Sequence, residues 1–196
     1  PNETINMLSN LLSNNICSLI EHSNKFCIVC TLIIKNNKII DTTFTNEIVF
    51  IHKNFVYDES DLHNNKDYKL LFDTVSKITT IKDSHDLVEW LMIEMNYRAS
   101  LVLKQHKYGV FRNNNNIRSE YFFYDTNKCF NHTTLKKSSY LHITSPIRRL
   151  VDILNQIALV VVLNLYRFNN HSVDFYNKYI SKINDININS KKIKYL

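Results

Sequence analysis

Apolar and polar positions change period several times along this chain, and each change predicts an element. Residues 2–25 show no period and read as irregular. Phe26–Ile34 is a run rich in β-branched residues, and Ile39–Ile51 continues with partial alternation; Lys35-Asn36-Asn37-Lys38 between them is a turn signal. This pattern predicts two strands joined by a turn. Asp58-Glu59-Ser60-Asp61 places acids where a short helix would begin. Asp67–Ile78 carries apolar residues at helical spacing. Asp83 or Ser84 is a suitable N-cap for a long helix reaching Gln105. Along it Val88, Met92, Met95, Ala99 and Val102 predict one apolar stripe, while Glu89 and Asn96, seven residues apart, share another face. Residues 108–143 read as short strands and loops. Ser145-Pro146 is expected to open a helix through Tyr166, and a last helix is expected over Val173–Asn184, before a basic tail from Ser190. The fold class is α/β in the broad sense (α+β), with a mostly antiparallel, curved sheet flanked by helices. Nothing divides the chain convincingly, so 1–196 is read as a single domain.

Composition narrows this picture. With 196 residues and 44% hydrophobic content, the chain can bury a core, which argues against disorder. It has one Gly and two Pro, so turns fall to Asn, Asp and Ser. Abundant Asn, Ile and Lys fit nucleotide bias in an AT-rich genome. The net charge of +6 favours an anionic partner, nucleic acid before a membrane surface. The longest apolar run, Ile157–Leu165, is too short to cross a bilayer, and no signal peptide is visible. The four cysteines then read as free thiols of a soluble intracellular, cytoplasmic protein. The initial Pro1 suggests a fragment or a processed product.

Cys27 and Cys30 tempt a metal reading. Residues three apart on a strand face opposite sides, however, and no second pair exists. Asp58, Glu59 and Asp61 form the densest acidic cluster, but Asp61, like Asp83 of the long helix, is more simply a cap or first-turn acid than a metal ligand. No metal ligands are assigned in this chain.

The densest chemistry lies in Tyr140-Leu-His-Ile-Thr-Ser-Pro-Ile-Arg-Arg-Leu-Val-Asp152. A hydroxyl followed by proline suits a helix start, and free backbone N–H groups there attract anions. Arg148 and Arg149 in a first turn would oppose the helix dipole. Either a phosphate held by a guanidinium fork or an ion pair with Asp152, three or four residues on, would account for them.

This segment resembles the signature Tyr-x-His-Phe-Thr-Ser-Pro-Ile-Arg-Arg-Tyr-x-Asp of the RNase II/RNase R/exosome-nuclease (RNB) family. Further blocks match in order. Leu12-Ser-Asn-Asn-Ile-Cys-Ser-Leu19 resembles Leu-Ser-x-x-Leu-Cys-Ser-Leu, and Phe55-Val-Tyr-Asp-Glu59 resembles Leu-Thr-Tyr-Glu-Glu. Leu87-Val-Glu-Trp-Leu-Met92 with Asn96 resembles Leu-Val-Glu-Glu-Phe-Met…Ala-Asn. Phe111-Arg112 resembles a short Tyr/Leu-Arg element, and Asn131-His-Thr-Thr-Leu135 resembles Gly-His-Phe-x-Leu.

The resemblance implies the middle and C-terminal part of an RNB catalytic domain. Such a domain degrades single-stranded RNA processively from the 3′ end, releasing nucleoside 5′-monophosphates in a Mg²⁺-dependent hydrolysis. The aspartates that bind Mg²⁺ are expected upstream of Pro1, so these residues alone are expected to be inactive. Arg148 matches the position that neutralises the scissile phosphate, with Arg149 supporting it. Tyr57 and Glu89 match positions near the RNA 3′ end, where a ring stacks on a base and a carboxylate accepts from a ribose hydroxyl. Thr144 and Ser145 would donate to phosphate, and Asp152, Asn96, Arg112 and His132 would support the site. Expected partners are single-stranded RNA, the upstream half of the domain and flanking RNA-binding barrels. Departures at Trp90, Asn131, Leu150 and Gln156 motivate an alternative, a non-catalytic RNA-binding relative.

Overall fold

A computed structural model describes residues 6–115, 118–180, 182–183 and 185–186. The chain forms two compact units, residues 14–94 and residues 1–13 with 95–196. The named strands pair antiparallel in two separate two-stranded sheets, one isolated bridge, Asn114↔His132, is parallel, and no closed barrel is present among the described residues.

In the unit of residues 14–94, β1 (Ser23–Lys35) and β2 (Lys38–Ile51) form a long ribbon. Asn36 and Asn37 both adopt positive φ, 52° and 59°. Two such residues make the mirror-image turn whose twist matches a hairpin, and Asn tolerates that backbone better than most. The pairing runs from Ser23↔Ile51 to Lys35↔Lys38 with a register shift between Ile33 and Ile34. Cys27 and Cys30 fall on opposite faces of this ribbon, as their spacing predicts. Phe44 is buried, whereas Phe26 is 90% exposed opposite Ile48, itself 64% exposed.

Two short helices follow, α1 (Ser60–Asn64) and α2 (Lys66–Ser76), with the Asn65 side chain capping α2 through the Tyr68 N–H at 2.9 Å. Asp61 lies in the first turn of α1 as expected, but Glu59, at the N-cap, makes no side-chain cap bond. Asp61 pairs with Lys53 at 2.6 Å, which raises the lysine pKa and lowers that of Asp61. Glu59 precedes α1 and accepts from the Val56 N–H at 2.9 Å. Helix α3 (Ser84–Gln105) starts as predicted, with Asp83 Oδ1 accepting from the Asp86 N–H at 2.9 Å.

The expected stripe on α3 is corrected. Val88 is 45% exposed, and the buried positions toward the C-terminal half are Asn96, Ala99, Ser100 and Leu103. Two of these four are polar because Asn96 serves hydrogen bonds that an apolar stripe would not supply.

A π-helical turn over Leu12–Ile16 forms in a stretch the pattern left irregular. The elements that follow belong to the other unit. β3 (Val110–Asn115) pairs with β4 (Arg118–Phe123), and helices α4 (Leu150–Val162) and α5 (Asn170–Ile180) follow. The core gathers Leu103, Val110, Phe111, Leu141, Ile143, Leu154, Ala158 and Leu159. Phe111 meets Phe130 edge-to-face at 4.8 Å, a favoured aromatic geometry. Gly109 enters β3 at φ +103°, and a Cβ there would come 2.9 Å from Leu103 Cδ1.

Helix α4 is shorter than predicted at both ends. Ser145 O accepts from Arg148 N at 3.2 Å and from Arg149 N at 3.1 Å, closing a single turn. Arg149 then turns extended, φ −135° and ψ 119°, which interrupts the ladder, so the helix starts at Leu150. At the other end Asn164 sits at φ 52°, its N–H bonds Val161 O and the Leu165 N–H bonds Val160 O. This pair of bonds around a left-handed residue ends the helix before Tyr166. Helix α5 starts three residues earlier than Val173; the expected end at Asn184 and the tail from Ser190 lie outside the described residues.

Candidate nucleic-acid interface

The segment Tyr140–Arg149 runs between α3, α4 and the β3–β4 hairpin, and hydrogen bonds from each hold it: side chains from the helices and a backbone N–H from β3. From α3, Asn96 Oδ1 accepts from the Ile143 N–H at 3.0 Å, and its Nδ2 donates to Tyr140 Oη at 2.9 Å. From α4, Asn155 Nδ2 donates to His142 O at 2.9 Å and Gln156 Nε2 donates to Ile143 O at 3.0 Å. From β3, Arg112 N donates to Tyr140 O at 2.9 Å. Asn96 and Asn155 are fully buried, where an unpaired amide costs more than its bond contributes when made.

His142 lies at the centre. Arg112 Nη1 stands 2.8 Å from His142 Nε2, and a guanidinium only donates, so Nε2 must accept. The ring proton is therefore on Nδ1, which donates to Tyr121 Oη at 2.6 Å. Burial first, then the charges of Arg149 and Arg112, push the His142 pKa down to about 2. His142 is thus a neutral relay between Arg112 and Tyr121. His132 is also buried and edge-on to Tyr140 at 4.9 Å; burial and Arg112 lower its pKa. Its Nδ1 accepts from the Leu135 N–H at 3.3 Å.

The two arginines part company at the turn. Arg149 Nη2 donates to Asp152 Oδ1 at 2.9 Å, and its Nε lies 2.8 Å from Oδ2. Asp152 is fully buried and also accepts from the Ser145 N–H at 2.7 Å. Burial pushes the Asp152 carboxyl up against the opposing pull of Arg149 and the Ser145 amide. Arg149 is therefore the partner of Asp152. Arg148, by contrast, is exposed, with Nη2 3.4 Å from Ser145 Oγ. Thr144 Oγ1 is buried without a hydrogen-bond partner among the described residues. Because the Ser145 amide is committed to Asp152, it is not a free donor for an anion.

Thr144, Ser145, Arg148, Arg149, Asp152, Asn96, Arg112 and His132 thus belong to one unit and to one connected region. Tyr57 and Glu89 belong to the other. There Tyr57 stacks on His85 with ring centroids 3.8 Å apart and 15° between planes, and Glu89 is exposed on α3 one turn after His85. Sequence reading missed Asn155, Tyr121 and His85. A lone Asn inside the apolar run of α4 was the available signal for Asn155; nothing local marked the other two.

Among the described residues, no three His, Cys, Asp or Glu side chains converge to hold a metal ion. Nor is any helix among them long and apolar enough to cross a membrane.

Comparison with known proteins places this geometry. The RNB domain profile matches residues 61–165, more than half of the 196-residue chain. No curated protein sequence matches. Among solved structures, Mycoplasma genitalium RNase R in complex with double-stranded RNA superposes with a TM-score of 0.75 at 18% identity, covering 97% of this chain and 51% of that one. The apo form of the same enzyme gives 0.77 at 17% identity, covering 99% and 46%. The complex with ribose-methylated single-stranded RNA gives 0.76 at 17%, covering 99% and 46%. At such identity the likeness shows the fold, and the chain spans about half the length of these structures.

Proposed function

The chain belongs to the RNB-domain family, and on that premise we propose that it serves RNA degradation as part of a 3′→5′ exoribonuclease acting on single-stranded RNA. Both of its units would work within one catalytic domain, releasing nucleoside 5′-monophosphates processively in a Mg²⁺-dependent hydrolysis. Solved relatives in the family fold have been captured with single- and double-stranded RNA, which supports RNA as the ligand class.

One observation carries the reading. Arg148 is an exposed cation on a turn whose backbone is fixed from three sides by buried groups. The fixed backbone sets where the side chain starts, its guanidinium Nη2 lies 3.4 Å from Ser145 Oγ, and such a cation would stabilise charge that grows on the phosphate oxygens during hydrolysis. Arg149 cannot share this role, because it is engaged with Asp152; it holds the turn instead. Ser145 Oγ is a further donor for a backbone phosphate, whereas Thr144 Oγ1 is buried and would reach one only after a local shift. Tyr57 and Glu89 would grip the 3′ nucleotide, the ring by stacking and the carboxylate by accepting from ribose. Mg²⁺, when bound, would activate water and hold the leaving oxygen. Among the described residues no cluster of three His, Cys, Asp or Glu forms such a site.

The test is a gel assay of the full-length protein on single-stranded RNA labelled at either end, with and without Mg²⁺. A 3′ label should leave at once as mononucleotide, while a 5′ label should shorten stepwise, and only with the metal. Internal cuts would overturn the reading. RNA that is bound yet never shortened would instead support a non-catalytic RNA-binding relative, the reading suggested by Trp90 and Leu150.

A further inference from the structure

We propose that His85 is a positioning residue for Tyr57, so that the base platform is a two-ring stack and not a single tyrosine. The inference rests on the reading of Tyr57 as a nucleotide contact.

Three observations in the unit of residues 14–94 converge. The ring of Tyr57 lies 3.8 Å from that of His85 with 15° between planes, a parallel stack that covers one face of the phenol. Tyr57 nonetheless remains 49% exposed, so the stack on His85 leaves about half of the residue's surface to solvent, and the proposal assigns that surface to a planar ligand. The loop that carries Tyr57 is pinned to the start of α3. Asp58 holds a left-handed backbone at φ 57°, and its Oδ1 accepts from Ser84 N at 3.2 Å and from Ser84 Oγ at 2.8 Å. The Asp58 N–H donates in turn to Ser84 Oγ at 3.1 Å. The bonds to Ser84, and after them the neighbouring His85 and His63, lower the Asp58 pKa.

The clasp fixes where the backbone of Tyr57 is, but not the rotation of its ring. His85 supplies that constraint. It follows Ser84 directly, so the residue that anchors the loop and the residue that orients the ring are neighbours. It also precedes Glu89 by four residues, which puts both on one face of α3. Without the imidazole the phenol would sample several rotamers, and a terminal base would have to order it on binding.

The test uses the full-length protein and single-stranded RNA carrying 2-aminopurine at its 3′ end. Anisotropy reads affinity and quenching reads stacking. Tyr57→Ala should weaken binding and relieve quenching. His85→Ala should weaken binding about three- to tenfold, the worth of one aromatic pair. His85→Phe, which keeps a ring, should come within about twofold of the parent. The double variant Tyr57→Ala/His85→Ala should be no weaker than Tyr57→Ala alone, since His85 acts only through Tyr57. Losses that multiply in the double variant would overturn the proposal, as would an inert His85→Ala or a His85→Phe as weak as His85→Ala. If Tyr57→Ala itself changes nothing, the reading of Tyr57 fails, and the proposal fails with it for a distinguishable reason.

Discussion

Asn155 pairs with the backbone of Val110 in both directions: its Oδ1 accepts from the Val110 N–H at 2.8 Å, and its Nδ2 donates to Val110 O at 2.8 Å. The same Nδ2 reaches His142 O at 2.9 Å, so one side chain ties the first residue of β3 to the segment that carries the arginines. Asn155→Leu should leave these backbone groups buried and unpaired, costing about 3 kcal/mol at 1–3 kcal/mol per orphaned group. Asn155→Asp should cost at least as much, because a carboxylate would face two carbonyl oxygens. Urea midpoints with an unchanged slope would measure both; a loss under half the expected value for Asn155→Leu would mean the groups find other partners.

Arg148 and Arg149 should separate cleanly. Arg148→Ala in the full-length protein should lower kcat about 10²–10³-fold, as for loss of one transition-state donor, with a much smaller effect on RNA affinity and on stability. Equal losses in kcat and affinity would remove Arg148 from its assigned role.

Arg149→Met should instead destabilise by about 3–5 kcal/mol, since Asp152 would be left buried without its cation. The double change Arg149→Met/Asp152→Leu should recover part of that loss, because no uncompensated charge remains. Thermal melting of the three variants decides this, and a double variant worse than the single would contradict the pairing.

His142 makes the fold acid-sensitive. Its pKa falls from the ordinary 6.5 to about 2 on folding, so between those values the unfolded chain binds a proton that the folded chain refuses. Stability is therefore fully present above pH 6.5 and declines by about 1.4 kcal/mol per unit as pH falls below it. His132, shifted in the same direction, adds to the decline. The difference in slope between the parent and His142→Gln over pH 6 to 4 isolates the His142 share. Parallel curves would show that the ring takes a proton without cost.

The ribbon predicts behaviour in solution. Phe26 and Ile48 form an exposed apolar pair on a two-stranded edge, and such surfaces promote association. Phe26→Lys should shift this 196-residue chain toward monomer in sedimentation at high concentration; an unchanged distribution would show that the pair is not the contact.

Much of the fold was legible in the sequence because local rules agreed with tertiary need. The hairpin followed from β-branched runs around Asn36-Asn37, and α3 from Asp83. The site was legible in part, and only through side chains that repeat a family pattern. The helix start at Ser145-Pro146 was misplaced because Asp152, seven residues on, captures the Ser145 amide and Arg149 leaves helical backbone. The apolar stripe on α3 was misassigned because Asn96 is buried for Tyr140 and Ile143, partners 44 and 47 residues away. No periodicity within a helix encodes such partners. His142 is buried, and its tautomer depends on Arg112 and Tyr121, which only the folded chain assembles.

Elsewhere this chain bends left-handed without glycine: His22, Asn36, Asn37, Asp58, Lys107, Lys136 and Asn164 all do so with full side chains. Gly109 is the one exception, wedged against Leu103 with Asn155 Oδ1 3.5 Å from where a Cβ would stand. Genetic drift toward Asn and Lys can therefore rewrite most turns of this protein at modest cost, while codon 109 has nowhere to go.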